Sequence, residues 1–146
     1  MNALDLIKSD EGLRLKMYKC TANKWTIGYG RNIEDRGISA DEADYLFKND
    51  IRLVRETLQD KILNFPLLSE VRQAVLLNMC YQLGWPRLSK FQNFLGALEF
   101  GQYDKAAGEM INSAWATQTP VRVLRLAQMM RTNRWPVVDD KELEVV

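Results

Sequence analysis

The chain has 146 residues, 20 basic against 19 acidic side chains and 47% hydrophobic residues. It is long enough to bury a core of its own, and a net charge of +1 gives no argument for nucleic acid or membrane binding. It contains no histidine and two cysteines, Cys20 and Cys80. This excludes Ser-His-Asp and Cys-His catalysis, histidine-based metal motifs and a cysteine zinc site. Acid–base work must then fall to Asp, Glu, Cys, Lys or Tyr.

Residues 2–11 carry Leu4 and Ile7 at helical spacing, and Gly12 is a stop, so a short helix ends at Glu11. Residues 13–19 alternate, with Leu13, Leu15 and Met17 against Arg14, Lys16 and Tyr18, the pattern of a half-buried strand. Turn-like residues 21–24 lead into a β-rich stretch, 25–29, which makes a hairpin. Gly28 and Gly30 weaken a strand interior and suggest close approach of backbone or ligand. At Ser39 the period changes. Ser39 and Glu42 form a capping box, and Ala43, Leu46, Phe47, Ile51, Val54 and Leu58 continue as one long amphipathic helix.

The second half reads as helical throughout. A helix starting at Leu67 or Ser69 runs to Gly84, and its stretch 74–81 is apolar nearly all round, which marks it as central and buried. Trp85-Pro86 ends it, residues 88–100 form a further helix, and 103–113 another. Thr119 is an N-cap with Pro120 behind it, for a helix to about Arg131. Trp115 and Trp135 are read as core. The class is α+β, mostly helical. The segment 72–134 holds eight basic and three acidic side chains, a bias that suits an acidic polymer and equally a solvated helix face. The longest apolar run is residues 74–77, so no transmembrane helix fits; no signal-type segment follows Met1, and the thiols are expected to be free in a cytoplasmic protein.

The candidate chemistry lies early in the chain. Glu11 closes the first helix, Cys20 follows the first strand, and Thr26 lies on the return strand. A helix end abutting a hairpin brings such residues around one wall. A glutamate supplies a proton donor; cysteine and threonine can hold or activate a water opposite, the layout for glycoside hydrolysis with inversion. Taken singly, the same residues read as a surface carboxylate, a small core hydrophobe and a strand former.

The run Asp10-Glu11-Gly12-Leu13-Arg14-Leu15-Lys16, then Tyr18-Lys19, then Thr26-Ile27-Gly28-x-Gly30, closely resembles the phage lysozymes of the T-even type, glycoside hydrolase family 24. Asp41-Glu42-Ala43, Leu46-Phe47, Asn78-Met79, Gln82-x-Gly84, Trp115, Gln118-Thr119-Pro120, Arg122, Arg131-Thr132 and Trp135 follow in order. The resemblance covers about residues 1–135 and implies a muramidase that cleaves the β-1,4 bond between N-acetylmuramic acid and N-acetylglucosamine. It implies a single two-lobed lysozyme domain: a helix and small N-terminal β lobe (1–38), a linking helix (39–60), a C-terminal helical lobe (61–135) and a polar tail (136–146).

Carried over residue by residue, the resemblance makes Glu11, Cys20 and Thr26 catalytic. Tyr81, Gly30 and Asn93 become substrate-binding, with Gln82 and Glu109 as further cleft polar groups. Arg122 would pair with Glu11, Arg125 with Asp10, and Arg31 with Asp50. Cys20 stands where the best-studied members have aspartate and Arg31 where they have histidine; the segment between Arg31 and Asp41 is also shorter. Cys20 is open to three roles, a thiolate base, a water-positioning group or a nucleophile, of which the first two are preferred. No cofactor and no metal are implied. The implied partner is bacterial peptidoglycan, reached by a monomer from the host cytoplasm after holin-dependent membrane permeabilisation, with no contact to nucleic acid or membrane. The competing readings are a catalytically weakened glycan-binding module, a lytic transglycosylase and, from the basic helix 122–134, a nucleic-acid binder.

Overall fold

A computed structural model of the protein describes residues 1–137. The chain divides into two compact units, Met1–Lys48 and the part from Asn49 onward. The expected tail, 136–146, lies outside the described residues beyond Val137.

The first unit begins with α1 (Ala3–Glu11). Asn2 caps it, accepting from the Asp5 N–H at 2.9 Å while the Asp5 carboxylate accepts from the Asn2 N–H at 3.2 Å. Gly12, at φ +72°, ends it, and its N–H bonds Lys8 O. Strands β1 (Arg14–Lys19), β2 (Trp25–Gly28) and β3 (Arg31–Asn32) form an antiparallel sheet in that order. Tyr18 lies opposite Thr26, and Thr26 opposite Asn32, so Thr26 sits mid-sheet. The expected burial of alternate β1 residues is not found. Leu15 is 80% exposed and Tyr18 is the half-buried position, because the Leu15 side of the sheet faces an open cavity.

A one-turn helix, α2 (Ile33–Arg36), follows β3, capped by Asn32. Then comes α3 (Ala40–Lys61), entered through the expected capping box: Ser39 Oγ accepts from the Glu42 N–H at 3.1 Å, and Glu42 Oε1 accepts from the Ser39 N–H at 2.8 Å. Both β3 and α2 are additions to the sequence reading. They are too short to show a hydrophobic period.

The second unit is helical. After a 3₁₀ turn at Phe65–Leu67 come α4 (Glu70–Leu83), α5 (Trp85–Leu88), α6 (Gln92–Glu99), α7 (Tyr103–Ile111), α8 (Ala114–Gln118) and α9 (Pro120–Thr132). Ser69 caps α4. Val75, Leu76, Met79, Phe94, Met110, Trp115, Val123 and Met130 are buried in one cluster. The Gln73 amide donates to Phe65 O at 3.2 Å and Leu68 O at 3.1 Å, which satisfies the carbonyls of the 3₁₀ turn beside α4.

Two expectations are corrected here and one is refined. The helix read over 88–100 starts later, as α6 at Gln92, and a separate short helix, α5, ends at Leu88; between them, at residues 89–91, the Ser89 hydroxyl turns back to Pro86 O at 2.8 Å. Thr119 is the N-cap of α9 with Pro120 behind it, as expected, but its side chain makes no cap bond: its hydroxyl donates to Trp115 O at 3.4 Å at the end of α8. Trp135 is 56% exposed. The chain leaves α9 at Asn133, whose φ is +57°, so Trp135 is off the periodic face that buries Trp115.

Candidate active site

In the first unit the structure places Glu11 directly against Gly30. A Cβ built on Gly30 would lie 2.8 Å from Glu11 Cδ and clash with the carboxylate itself. Gly30 also has φ +69°, so both its lack of a side chain and its backbone freedom are required where β2 turns into β3. The close approach suggested by the glycines of 28–30 thus occurs at Gly30, with a carboxylate as the approaching group. Gly28 has a similar φ of +71° but open space around its missing Cβ. Asp10 precedes Glu11 in the last turn of α1.

Cys20 and Thr26 are brought together by the turn between β1 and β2. Lys24 O accepts the Cys20 N–H at 3.0 Å and the Thr26 hydroxyl at 2.9 Å. The Asn23 N–H closes the turn on Cys20 O at 2.8 Å, with Asn23 in the left-handed region at φ +60°. Thr26 is 2% exposed, and Cys20 is half-buried. The Lys24 backbone N–H, and then the Thr26 hydroxyl, hydrogen-bond the Cys20 sulfur and hold its pKa below the ordinary 9.0, against a smaller upward push from desolvation. Cys80 differs: it is buried in α4, and desolvation raises it.

Arg31 bonds within the first unit. Its Nη1 lies 2.6 Å from Glu42 Oε2 and its Nε donates to Gly37 O at 3.1 Å. The partner the structure gives it is therefore Glu42, on the first turn of α3, whereas Asp50 is two turns further along that helix. Glu42 is held below its ordinary value by the Ser39 N–H and hydroxyl and by the Arg31 charge. Sequence reasoning took Glu42 for a capping residue alone. The capping box was the signal, and only one of its two carboxylate oxygens is spent on the cap. Lys24, Glu34 and Asp35 were also missed beside Cys20. The spacing Asn32-x-x-Asp35, a capping signature for α2, was the sign available.

A cavity of about 760 Å³ in this unit is lined by Leu15, Ile27, Ile33, Ile38, Tyr45 and Leu46, among others. Neither Glu11, Cys20 nor Thr26 lines it. Ile27 follows Thr26 in β2, so its side chain points to the other face of the sheet. Gly30, Arg31 and Glu42 also line it, so it opens beside the Glu11–Gly30 contact.

In the second unit, Asn93 and Glu109 line one cavity of about 400 Å³. Tyr81, near the end of α4, is 45% exposed. Gln82 is committed elsewhere: its Oε1 accepts from Trp115 Nε1 at 2.9 Å, so it supports the core. Arg122 Nε donates to Asn78 Oδ1 at 2.8 Å, and desolvation followed by the Arg125 charge lowers the Arg122 pKa. Arg125 is one turn further along α9. Among the described residues no group of three or more Cys, Asp or Glu side chains is arranged to hold a metal, and no helix is long and apolar enough to cross a membrane.

A helix ending in a glutamate seated on a glycine, a small antiparallel sheet and a helical C-terminal region make up the lysozyme fold. The family model for phage lysozyme matches residues 8–131. The chain belongs to the phage lysozyme family, and its function is that of a lysozyme, a glycosidase. It is 29% identical over 157 residues to "Probable T4-type lysozyme 2" of Dictyostelium discoideum, covering 88% of this chain and 92% of that protein. It is 34% identical over 112 residues to the endolysin of Acyrthosiphon pisum secondary endosymbiont phage 1, covering 74% of each. It also matches the pre-baseplate central spike protein Gp5 of Enterobacteria phage T4, at 28% identity over 90% of this chain and 28% of that protein.

Proposed function

We propose that the protein cleaves the β-1,4 bond between N-acetylmuramic acid and N-acetylglucosamine, with Glu11 as general acid and the Cys20–Thr26 pair holding and deprotonating the attacking water. The observation that carries this reading is the bonding of Cys20. A thiol is a poor base at neutral pH unless its thiolate is favoured, and here the Lys24 N–H and the Thr26 hydroxyl favour it.

Glu11 gives its proton to the glycosidic oxygen as the bond to the anomeric carbon breaks. A water on the opposite face attacks that carbon, and its proton passes to the Cys20 thiolate, so the product is inverted. The Thr26 hydroxyl proton has two acceptors, Lys24 O and the thiolate, and turns from one to the other as Cys20 titrates. Gly30 leaves room for the Glu11 carboxylate. Tyr81 and Asn93 are assigned to sugar binding and Asp10, Arg122 and Arg125 to support of the acids, while Arg31 serves Glu42 and the loop to Gly37. In this reading the protein is a monomeric phage endolysin, folded in the host cytoplasm and reaching peptidoglycan once a holin or other lesion opens the membrane. The favoured thiolate speaks for this enzyme and against the weakened glycan-binding module.

The test is turbidity loss of permeabilised Gram-negative cells. Glu11→Gln should abolish lysis while leaving the melting temperature close to that of the parent; lysis at the parental rate would remove Glu11 from its role. The anomer first formed, followed by NMR during turnover, should be the inverted one, and a 1,6-anhydro product would mean a transglycosylase.

A further inference from the structure

The turn that joins Cys20 to Thr26 is built around one residue. Lys24 offers its carbonyl to the Cys20 N–H and the Thr26 hydroxyl, and its N–H to the Cys20 sulfur. Its ammonium is gripped from α2, 3.3 Å from Glu34 Oε2 and 3.3 Å from Asp35 Oδ1. Glu34 reaches the same turn twice more. Its Oε1 accepts from the Trp25 N–H at 3.5 Å and lies 3.8 Å from Lys19 Nζ. Asp35 is itself fixed: the Asn32 amide donates to its Oδ2 at 3.0 Å, and its own N–H bonds Asn32 Oδ1 at 3.0 Å. One short helix therefore holds both flanks of a turn that contains a non-glycine residue at positive φ, Asn23.

We propose that Lys24, Glu34 and Asp35 are positioning residues, an ion-paired clamp from α2 that holds the Lys24 peptide in register with the Cys20 sulfur and the Thr26 hydroxyl. The catalytic consequence rests on the reading of Cys20 and Thr26 given above; the geometric claim does not. Exposed ion pairs add little to global stability. The clamp acts on orientation, because a hydrogen bond to a charged sulfur weakens steeply as its angle opens.

Charge and geometry predict opposite outcomes for one variant. The Glu34 and Asp35 carboxylates, taken only as charges, disfavour a nearby thiolate, so removing them should make Cys20 more acidic and quicker to react. If they hold the turn, removing them should loosen the Lys24 N–H and the Thr26 hydroxyl and make Cys20 less acidic. The geometry favours the second outcome: both carboxylates grip the Lys24 ammonium, and the Lys24 carbonyl is bonded by the Cys20 N–H and the Thr26 hydroxyl.

The experiment is carbamidomethylation of the folded protein at pH 7, with the rate read from the mass of the Cys20-containing peptide, so that buried Cys80 does not contribute. Glu34→Ala with Asp35→Ala should slow the reaction about three- to tenfold, since one pKa unit is a tenfold change in thiolate. Lys24→Met should slow it similarly, and Lys24→Arg should restore most of the rate. A faster or unchanged reaction in the double alanine variant overturns the proposal. Should that variant fail to fold, Glu34→Gln with Asp35→Asn replaces it: slowing upholds the clamp, and acceleration or no change overturns it. If Cys20→Ala lyses cells at the full rate while the alkylation results stand, the catalytic reading of Cys20 fails and the clamp survives.

Discussion

Glu11 and Gly30 occupy space that only a glycine leaves free: the carboxylate fills the position of the missing Cβ, with Cδ 2.8 Å from where that atom would be. Gly30→Ala should therefore displace the candidate acid as well as strain the turn. Gly28→Ala is the matched control, since Gly28 has nearly the same φ and nothing in contact. Each substitution should cost about 1–2 kcal/mol for the left-handed backbone. Only Gly30→Ala should lower the lysis rate of the folded protein, by about tenfold or more. Thermal melts and turbidity assays on the two variants check this, and equal loss of rate in both would detach Glu11 from Gly30.

Cys20→Asp should retain activity and Cys20→Ala should lose most of it. The pH profile gives the sign. The Cys20 pKa is lowered from 9.0, so the acid limb of the parental profile should lie below the ordinary thiol range, with activity rising as pH climbs through it. In Cys20→Asp the limb should fall to the carboxylate range near 4. Thr26→Val removes the one side-chain group favouring the thiolate and should move the parental limb upward. Rate–pH curves for the three proteins would settle the matter, and coincident limbs in parent and Cys20→Asp would remove Cys20 as the titrating base.

Glu42 links the start of α3 to Arg31, and its pKa is lowered from 4.5 by the Ser39 N–H and hydroxyl and the Arg31 charge. A carboxyl lowered on folding adds stability that is fully present above its unfolded value and is lost as pH falls through its folded one. Glu42→Gln should therefore melt below the parent at pH 7, and the gap should close as pH falls below about 4. A gap of constant size from pH 7 to pH 3 would show that the ionised form of Glu42 contributes nothing.

Trp115 is 1% exposed, lies edge-on to Phe91 and donates its indole N–H to Gln82 at 2.9 Å. Trp115→Phe should cost about 2–4 kcal/mol, from the smaller ring and the unpaired Gln82 acceptor. Denaturant melts measure it. Lysis per folded molecule should be unchanged, which would also confirm that Gln82 serves the core and not the sugar.

The elements visible in the sequence were those with a period or a cap. α1 was delimited by Gly12, α3 by the Ser39–Glu42 box, and α4 by Ser39's counterpart Ser69 and by Gly84. β3 and α2 were missed because two and four residues show no period, yet they carry the clamp on Lys24. The break between α5 and α6 was missed because it comes from the Ser89 hydroxyl and not from a glycine or proline. In the candidate site, the pairing of Cys20 with Thr26 followed from the hairpin and the role of Gly30 from its lack of a side chain. The partner of Arg31 did not follow, because a carboxylate has two oxygens and the capping pattern reveals the use of only one.

Arg31 spans its own loop. Nε on Gly37 O and Nη1 on Glu42 close residues 31–42 into a ring stapled by a single side chain. Chain length can then change between Gly37 and Ser39 at the modest entropic cost of a longer loop, roughly 0.6 kcal/mol per doubling, with both staple points left in place. That junction is where extra residues could be spliced in to widen the sheet-bearing half of the enzyme without disturbing either Glu11 or the turn at Cys20.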